Sequence, residues 1–201
     1  MIQVLFATGN ETKSKRFSKG LHDRGIEVLT LKDINANVEV EENGKNAIEN
    51  ALIKARAYAK IVNIPVFAMD DNLFIDNIPE EKQPGMFVRR INGKRLTDEE
   101  VLEYYKGLVK EYGTEGRLTC RYVYGMAVIN KGKESTYSWS MEEFYMVEKQ
   151  SDTIRPGYPL DSISINKKIN KYFTEITEED KAKLKQNEDD VVEFIANNVK
   201  S

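Results

Sequence analysis

The chain has 201 residues, 40% hydrophobic and 31% charged, with a formal net charge of −3; that is enough for one domain with a proper core, or for one core split into two lobes. The charge argues against a protein that tracks a nucleic-acid backbone, which normally shows a basic face, and no apolar run approaches the length of a membrane span. A single cysteine and a single histidine exclude an internal disulfide and a zinc cluster, and strand-like residues begin at Ile2 with no secretory pattern before them, so a cytoplasmic protein working with carboxylates and lysines is expected.

Ile2 to Ala7 (IQVLFA) reads as a buried first strand. Thr8-Gly9-Asn10 follows, then a helix carrying Lys13, Lys15 and Arg16, with Phe17 and Leu21 on its inner face. A strand, a small polar turn and a helix N-terminus form an anion site, because backbone N–H groups point outward there. Lys13, one turn in, can reach a phosphate as a point charge. An ordinary β-α turn in which Asn10 only caps the helix explains the same residues equally well. The spacing of a Walker loop is absent. Gly25 closes the helix and Ile26 to Leu31 is a second strand, so parallel neighbours are expected.

Glu41-Glu42 and Asp70-Asp71 flank the next helix and a short apolar strand. Asn46 can cap that helix, with Glu49 completing a capping box. Ile48, Leu52, Ala55 and Ala59 recur on one apolar face, and Asn50 and Lys54, four residues apart, share another. Pro65 stops the helix, and Pro65 to Met69 reads as a buried strand whose C-terminal end delivers Asp70-Asp71. Carboxylates gathered in one cleft repel unless a cation neutralises them. Oxygen-rich sets suit Mg2+, which usually also holds substrate phosphates, and strand ends are where ligands commonly sit in open α/β sheets. On spacing alone, the plainer alternative of a solvated charge pair and a turn is favoured.

A second strand-like piece spans Leu73 to Ile75, and Pro79 to Gly93 is a loop containing Pro84-Gly85 and Arg89-Arg90. Leu96 to Tyr112 is an amphipathic helix with Val101, Leu102, Tyr105, Leu108 and Val109 on its apolar face and a Thr97/Glu100 capping box. Arg117 to Ile129 alternates as a strand, with Leu118, Cys120, Tyr122, Tyr124, Met126 and Val128 on one face. After a turn at 130–133, Glu134 to Val147 returns, forming a long hairpin. Trp139, Phe144 and Tyr145 on it are expected in a core or an interface, and Cys120 as a small core hydrophobe. A turn at Gly157–Asp161 leads to a short strand at Ser162 to Ile165. Thr177 to Leu184 is a short helix, and Asp189 to Val199 a terminal one with Val192, Ile195 and Val199 facing in.

Residues 7–13 are ATGNETK, 41–55 are EENGKNAIENALIKA, 68–76 are AMDDNLFID and 84–90 are PGMFVRR. In this order they resemble the motifs of the inosine/xanthosine triphosphate pyrophosphatases, enzymes of non-standard purine nucleoside triphosphates. The resemblance implies a single α/β domain over residues 1–201, with an elongated mixed sheet, flanking helices and two lobes around a central cleft. It implies Mg2+-dependent hydrolysis of a nucleoside triphosphate to the monophosphate and pyrophosphate by a homodimer. By position, Thr8, Gly9, Asn10 and Lys13 would hold the triphosphate, with Asn50 and Lys54 supporting its phosphate side. Glu41 or Glu42 and Asp71 would bind metal. Asp71 would also accept the proton of the attacking water, with Asp70 beside it.

The second half departs from the motifs. Asn72 replaces Ser-Gly after the acidic pair, and GYPLDS at 157–162 is a shrunken Gly-Phe-Gly-Tyr-Asp-Pro that keeps Tyr158 and Asp161. EITEEDK at 175–181 places Lys181 on a substrate-contacting lysine, but Lys185-Gln186-Asn187 stands where the family reads the purine with Ser-His-Arg. These changes fall on base recognition more than on phosphate chemistry, and such groups shift specificity by orders of magnitude. A catalytically silent nucleotide-binding protein on the same scaffold is the rival reading. A hydrolase of modified pyrimidine or dinucleotide substrates is a third.

Overall fold

In the computed structural model, the residues described are 1–9, 13, 16–36, 38–184 and 188–201. Strand β1 (Ile2–Phe6) buries Val4, Leu5 and Phe6 completely. Strand β2 (Ile26–Leu29) runs parallel to it, Ile2 opposite Ile26 and Leu5 opposite Leu29. Between them, helix α1 (Ser18–His22) turns Leu21 inward, with Phe17 buried just before it.

Helix α2 (Ala47–Ala59) is capped by Asn46, whose side chain accepts from the Glu49 N–H at 3.0 Å. The reciprocal half of the expected box is displaced by one residue: the Glu49 carboxylate accepts from the Lys45 N–H at 2.7 Å. The buried face is also shifted, to Ala47, Ala51, Ala55 and Tyr58, leaving Ile48, Leu52 and Ala59 half-buried. Close packing explains the shift. A Cβ added to Gly125 would lie 2.4 Å from the Ile48 nitrogen, so the start of α2 rests directly on strand backbone, where only small residues fit.

Strand β3 (Val66–Ile75) lies parallel to β1, with Leu5 opposite Val66. It is one unbroken strand, not the two pieces expected, and the acidic pair sits in its middle instead of at a strand end. Backbone pairing sustains it past the carboxylates: Leu73 and Gly85 exchange N–H···O bonds of 2.9 and 3.1 Å. Within the expected loop, β4 (Arg90–Ile91) and β5 (Lys94–Arg95) form a small antiparallel hairpin. Helix α3 (Asp98–Tyr112) has the complete Thr97/Glu100 box and buries the five residues expected.

Strand β6 (Arg117–Asn130) pairs with both β7 (Lys133–Ser140) and β8 (Phe144–Val147), so the returning arm of the hairpin is broken at 141–143. Strands β9 (Ser164–Asn166) and β10 (Lys171–Tyr172) add on antiparallel beyond β8. Helix α4 (Glu178–Lys183) is capped by Thr177, and helix α5 (Asp189–Lys200) buries Val191, Val192, Ile195, Ala196 and Val199.

The result is a large mixed sheet flanked by helices. Two compact units divide it: Met1–Asp71 with Tyr124–Trp139 and Asn187–Ser201, and Asn72–Val123 with Ser140–Gln186. In the first, the strand order is β6-β3-β1-β2 with β7 also on β6, and α2 packs over Leu5, Ala7, Val66, Ala68 and Ala127. In the second, the order is β10-β9-β8-β6-β3, and α3 packs over Leu73, Ile75, Leu118, Cys120 and Met146. Burial pushes the Cys120 thiol up to about 12, as befits an inert core residue. Among the described residues no helix is long and apolar enough to cross a membrane.

Candidate active site

Successive side chains of a strand point to opposite faces, so β3 sends Asp70 and Asp71 to opposite sides of the sheet in the first unit. Asp70 faces α2. There the Asn50 side-chain amide donates to Asp70 Oδ2 at 2.9 Å, and Lys54 Nζ stands 3.4 Å from Oδ1. The same ammonium lies 3.1 Å from Glu42 Oε2, so one lysine bridges two carboxylates. The spacing of Asn50 and Lys54 therefore places both on Asp70, as their shared helix face requires.

Asn50 is itself held. The Gly44 N–H donates to its Oδ1 at 2.8 Å, which turns the amide NH2 toward Asp70. A Cβ on Gly44 would come 2.7 Å from that oxygen, so this position tolerates only glycine without displacing Asn50. Of the two glutamates, Glu42 is the one on Lys54; Glu41 stands exposed beside it.

Asp71 lies on the other face, paired with Lys13, which precedes α1 in the chain. Lys13 and Asp71 are 26% and 27% exposed, Lys54 and Asp70 only 14% and 15%, so both pairs are partly shielded yet within reach of a ligand. Each carboxylate carries a lysine where a cation was expected. Among the described residues, no three Asp, Glu, His or Cys side chains gather closely enough to cage a metal. That donor set still fits Mg2+, which keeps most of its water and takes one or two carboxylates plus substrate phosphates.

Thr8 and Gly9 follow β1 directly, with the Thr8 N–H donating to the Phe6 carbonyl at 2.9 Å. Asn10 and 185–187 lie outside the described residues. Four of the expected site residues belong to the second unit. Asn72 is buried there, its Oδ1 without a partner among the described residues, and Tyr158 is exposed. Asp161 accepts from Arg155 at 2.9 Å; burial raises its carboxyl pKa against the pull of that arginine. Lys181 is exposed and pairs with Glu178 at 2.6 Å.

The motifs did not single out the residues packed on the Asp71 side. The Arg16 guanidinium lies 4.5 Å from the centre of the Tyr124 ring, which stacks on Trp139. Burial pushes the Tyr124 hydroxyl up to about 12, with Arg16 opposing and the charge of Asp71 adding to the rise. Arg16 is buried against its own charge, yet its bond to Glu188 keeps its pKa above the usual value. Arg16 and Glu188 are 172 residues apart, so no local pattern could join them.

The sequence model of the Ham1 family matches residues 4–196. The chain belongs to the Ham1 family. A Bacillus subtilis (strain 168) protein named dITP/XTP pyrophosphatase is 35% identical over 193 residues, 94% of this chain and 93% of the relative. One of the same name from Leptospira interrogans is 30% identical over 184 residues, 89% and 88% of the two chains. Among solved structures, a HAM1 protein from Coxiella burnetii superimposes with a TM-score of 0.77 at 21% identity, over 98% of both chains. The Staphylococcus aureus Ham1 protein gives 0.73 at 20%, over 96% of both. These two establish the fold of this Ham1 chain, and the family membership bears out the resemblance carried by its motifs.

Proposed function

We propose that this Ham1-family chain is a nucleoside triphosphate pyrophosphatase that releases pyrophosphate and a monophosphate, acts on deoxyinosine and xanthosine triphosphates, and cleanses the nucleotide pool in the cytoplasm as a homodimer. The observation that carries the reading is the lysine–carboxylate array: Lys13 on Asp71, and Lys54 between Asp70 and Glu42. Ammonium groups poised on carboxylates can exchange them for phosphate oxygens when substrate arrives, and the freed carboxylates then serve the reaction.

In this reading Lys13, with Thr8, Gly9 and Asn10, receives the triphosphate, and Lys54 offsets charge on its other side. Asp71, once Lys13 turns to phosphate, orients a water toward the α-phosphorus and accepts its proton as the bond to the pyrophosphate leaving group breaks. Asp70 stays oriented by the Asn50 amide and steadies the strand beside it. Mg2+ would be held either by Glu42 with Glu41 adjacent or by Asp71, on opposite faces of β3, and would supply charge neutralisation to the phosphates. The dITP/XTP pyrophosphatase relatives support the substrate class.

The test is pyrophosphate release by the purified protein across inosine, deoxyinosine, xanthosine, deoxyuridine and the four common triphosphates, with Mg2+ and with chelator. Mg2+-dependent release from the inosine and xanthosine compounds is expected. Nucleotide binding without release from any of them would replace this reading by a silent binder.

A further inference from the structure

Arg16 has no part in that scheme, yet an ion pair and a stack of rings hold it in the first unit. Its Nε donates to both carboxylate oxygens of Glu188 at 3.0 Å, and its terminal nitrogen makes a further contact to Oε1. Its guanidinium lies 4.5 Å from the ring centre of Tyr124, 5.5 Å from Phe17 and 5.9 Å from Trp139. Tyr124 and Trp139 stack at 5.1 Å, and Phe17 meets Trp139 edge-on at 6.4 Å. Both members of the ion pair are 20% exposed, so this is no solvated surface contact.

The backbone shows what the clamp holds. The Arg16 N–H donates to the Lys13 carbonyl at 3.0 Å, so the backbones of the two residues are tied directly together. Lys13 reaches Asp71, while Arg16, bonded to the Lys13 carbonyl, is anchored to Tyr124 on β6 and to Glu188 at the start of α5. A bidentate, stacked guanidinium fixes geometry in a way that a flexible ammonium cannot.

We propose that Arg16, clamped by Glu188 and stacked on Tyr124, is a positioning residue that, through its backbone bond to Lys13, holds Lys13 where it meets the substrate's phosphates. This rests on the reading of Lys13 as a phosphate ligand. Loss of the clamp weakens phosphate binding while leaving turnover of bound substrate nearly intact, which is the signature of lost uniform binding.

Glu188→Gln decides the matter. Removing a negative charge near an anion site should tighten anion binding by Coulomb attraction alone. The clamp requires the opposite. The probe is inorganic tripolyphosphate with Mg2+, titrated into the full chain by calorimetry and by the fluorescence of Trp139, the sole tryptophan. Glu188→Gln and Arg16→Met are expected to raise Kd about tenfold, equivalent to ~1.4 kcal/mol. Arg16→Lys should not restore it. In a Lys13→Met background, Glu188→Gln should add nothing further, because the clamp acts through Lys13. With a hydrolysed nucleotide, KM should rise alongside Kd while kcat changes little. Binding by Glu188→Gln that equals or exceeds wild type, or an undiminished effect without Lys13, overturns the proposal. A wild-type protein that binds tripolyphosphate through Lys13 but hydrolyses no triphosphate sinks the pyrophosphatase reading alone. A wild type that binds no tripolyphosphate sinks both.

Discussion

Asp70 and Asp71 are adjacent in sequence and stand on opposite faces of one strand, each with its own lysine: Lys54 on Asp70, Lys13 on Asp71. The pair is therefore not a single anionic site. Asp70 is the more enclosed, bonded by Asn50 and sharing Lys54 with Glu42. Asp71 holds one lysine from the segment that follows β1. Two carboxylates in different surroundings can take different tasks, and substitutions should separate them.

Asp71→Asn is expected to lower kcat by about 100- to 10,000-fold, the range for a lost general base. Its ion pair is partly exposed, so the melting temperature should move little. Asp70→Asn should instead raise KM and disturb the Asn50 amide, with a smaller loss of kcat. Steady-state kinetics on both variants, with thermal melts, would check this. Equal kcat losses in the two would mean that the strand faces do not divide the work.

Lys54→Met should leave Glu42 and Asp70 without the cation between them. A partly buried carboxylate left without its donor costs more than the loss of a surface pair, here about 1–3 kcal/mol. The melting temperature should fall, and added Mg2+ should recover a larger share of it than in the wild-type protein, because a cation can then occupy the space between the carboxylates. Melts with and without Mg2+ measure this. An equal Mg2+ response in both proteins would argue against metal at Glu42.

Much of the site was legible because its partners are close in sequence. Asn50 and Lys54 are one helical turn apart, and Asn46, Thr97 and Thr177 cap their helices where the local pattern places them. The errors have physical causes. The face of α2 rotated because Gly125 lets the helix backbone approach the sheet, and favours alanines over the larger Ile48 and Leu52. The apolar run ends at Met69, so the pattern alone puts Asp70-Asp71 at the end of a strand. Pairing of Leu73 with Gly85 keeps the chain extended through them. The clamp on Arg16 depends on Glu188, far along the chain, and no periodicity connects them.

Gly125→Ala should test the helix–sheet contact. The added Cβ would meet the Ile48 nitrogen at 2.4 Å, and backbone cannot give way as a side chain can. Overpacking of this kind costs about 1–3 kcal/mol, or roughly 2–12 °C in melting temperature for a chain of this size. Because α2 also carries Asn50 and Lys54, activity at 25 °C should fall as well. Unchanged melting with normal activity would show that the helix can retreat without consequence.

Asp180→Asn gives the pH test. The Asp180 carboxylate accepts from Lys171 Nζ at 2.7 Å, and from the Thr177 N–H and hydroxyl at 3.0 and 2.8 Å. Lys171 first, and then Thr177, hold its pKa far below the ordinary carboxylate range. The unfolded chain, with an Asp pKa of about 3.9, then binds the proton more readily than the folded one. The stabilisation is therefore complete at neutral pH, begins to fall as pH drops toward that unfolded value, and vanishes below the folded one. Asp180→Asn should melt below wild type at pH 7, and the difference should shrink steadily from about pH 4 downward. Melts of both proteins from pH 7 to pH 3 would read this directly; a gap that stays constant across that range would show that the charge on Asp180 contributes nothing to the cap on α4.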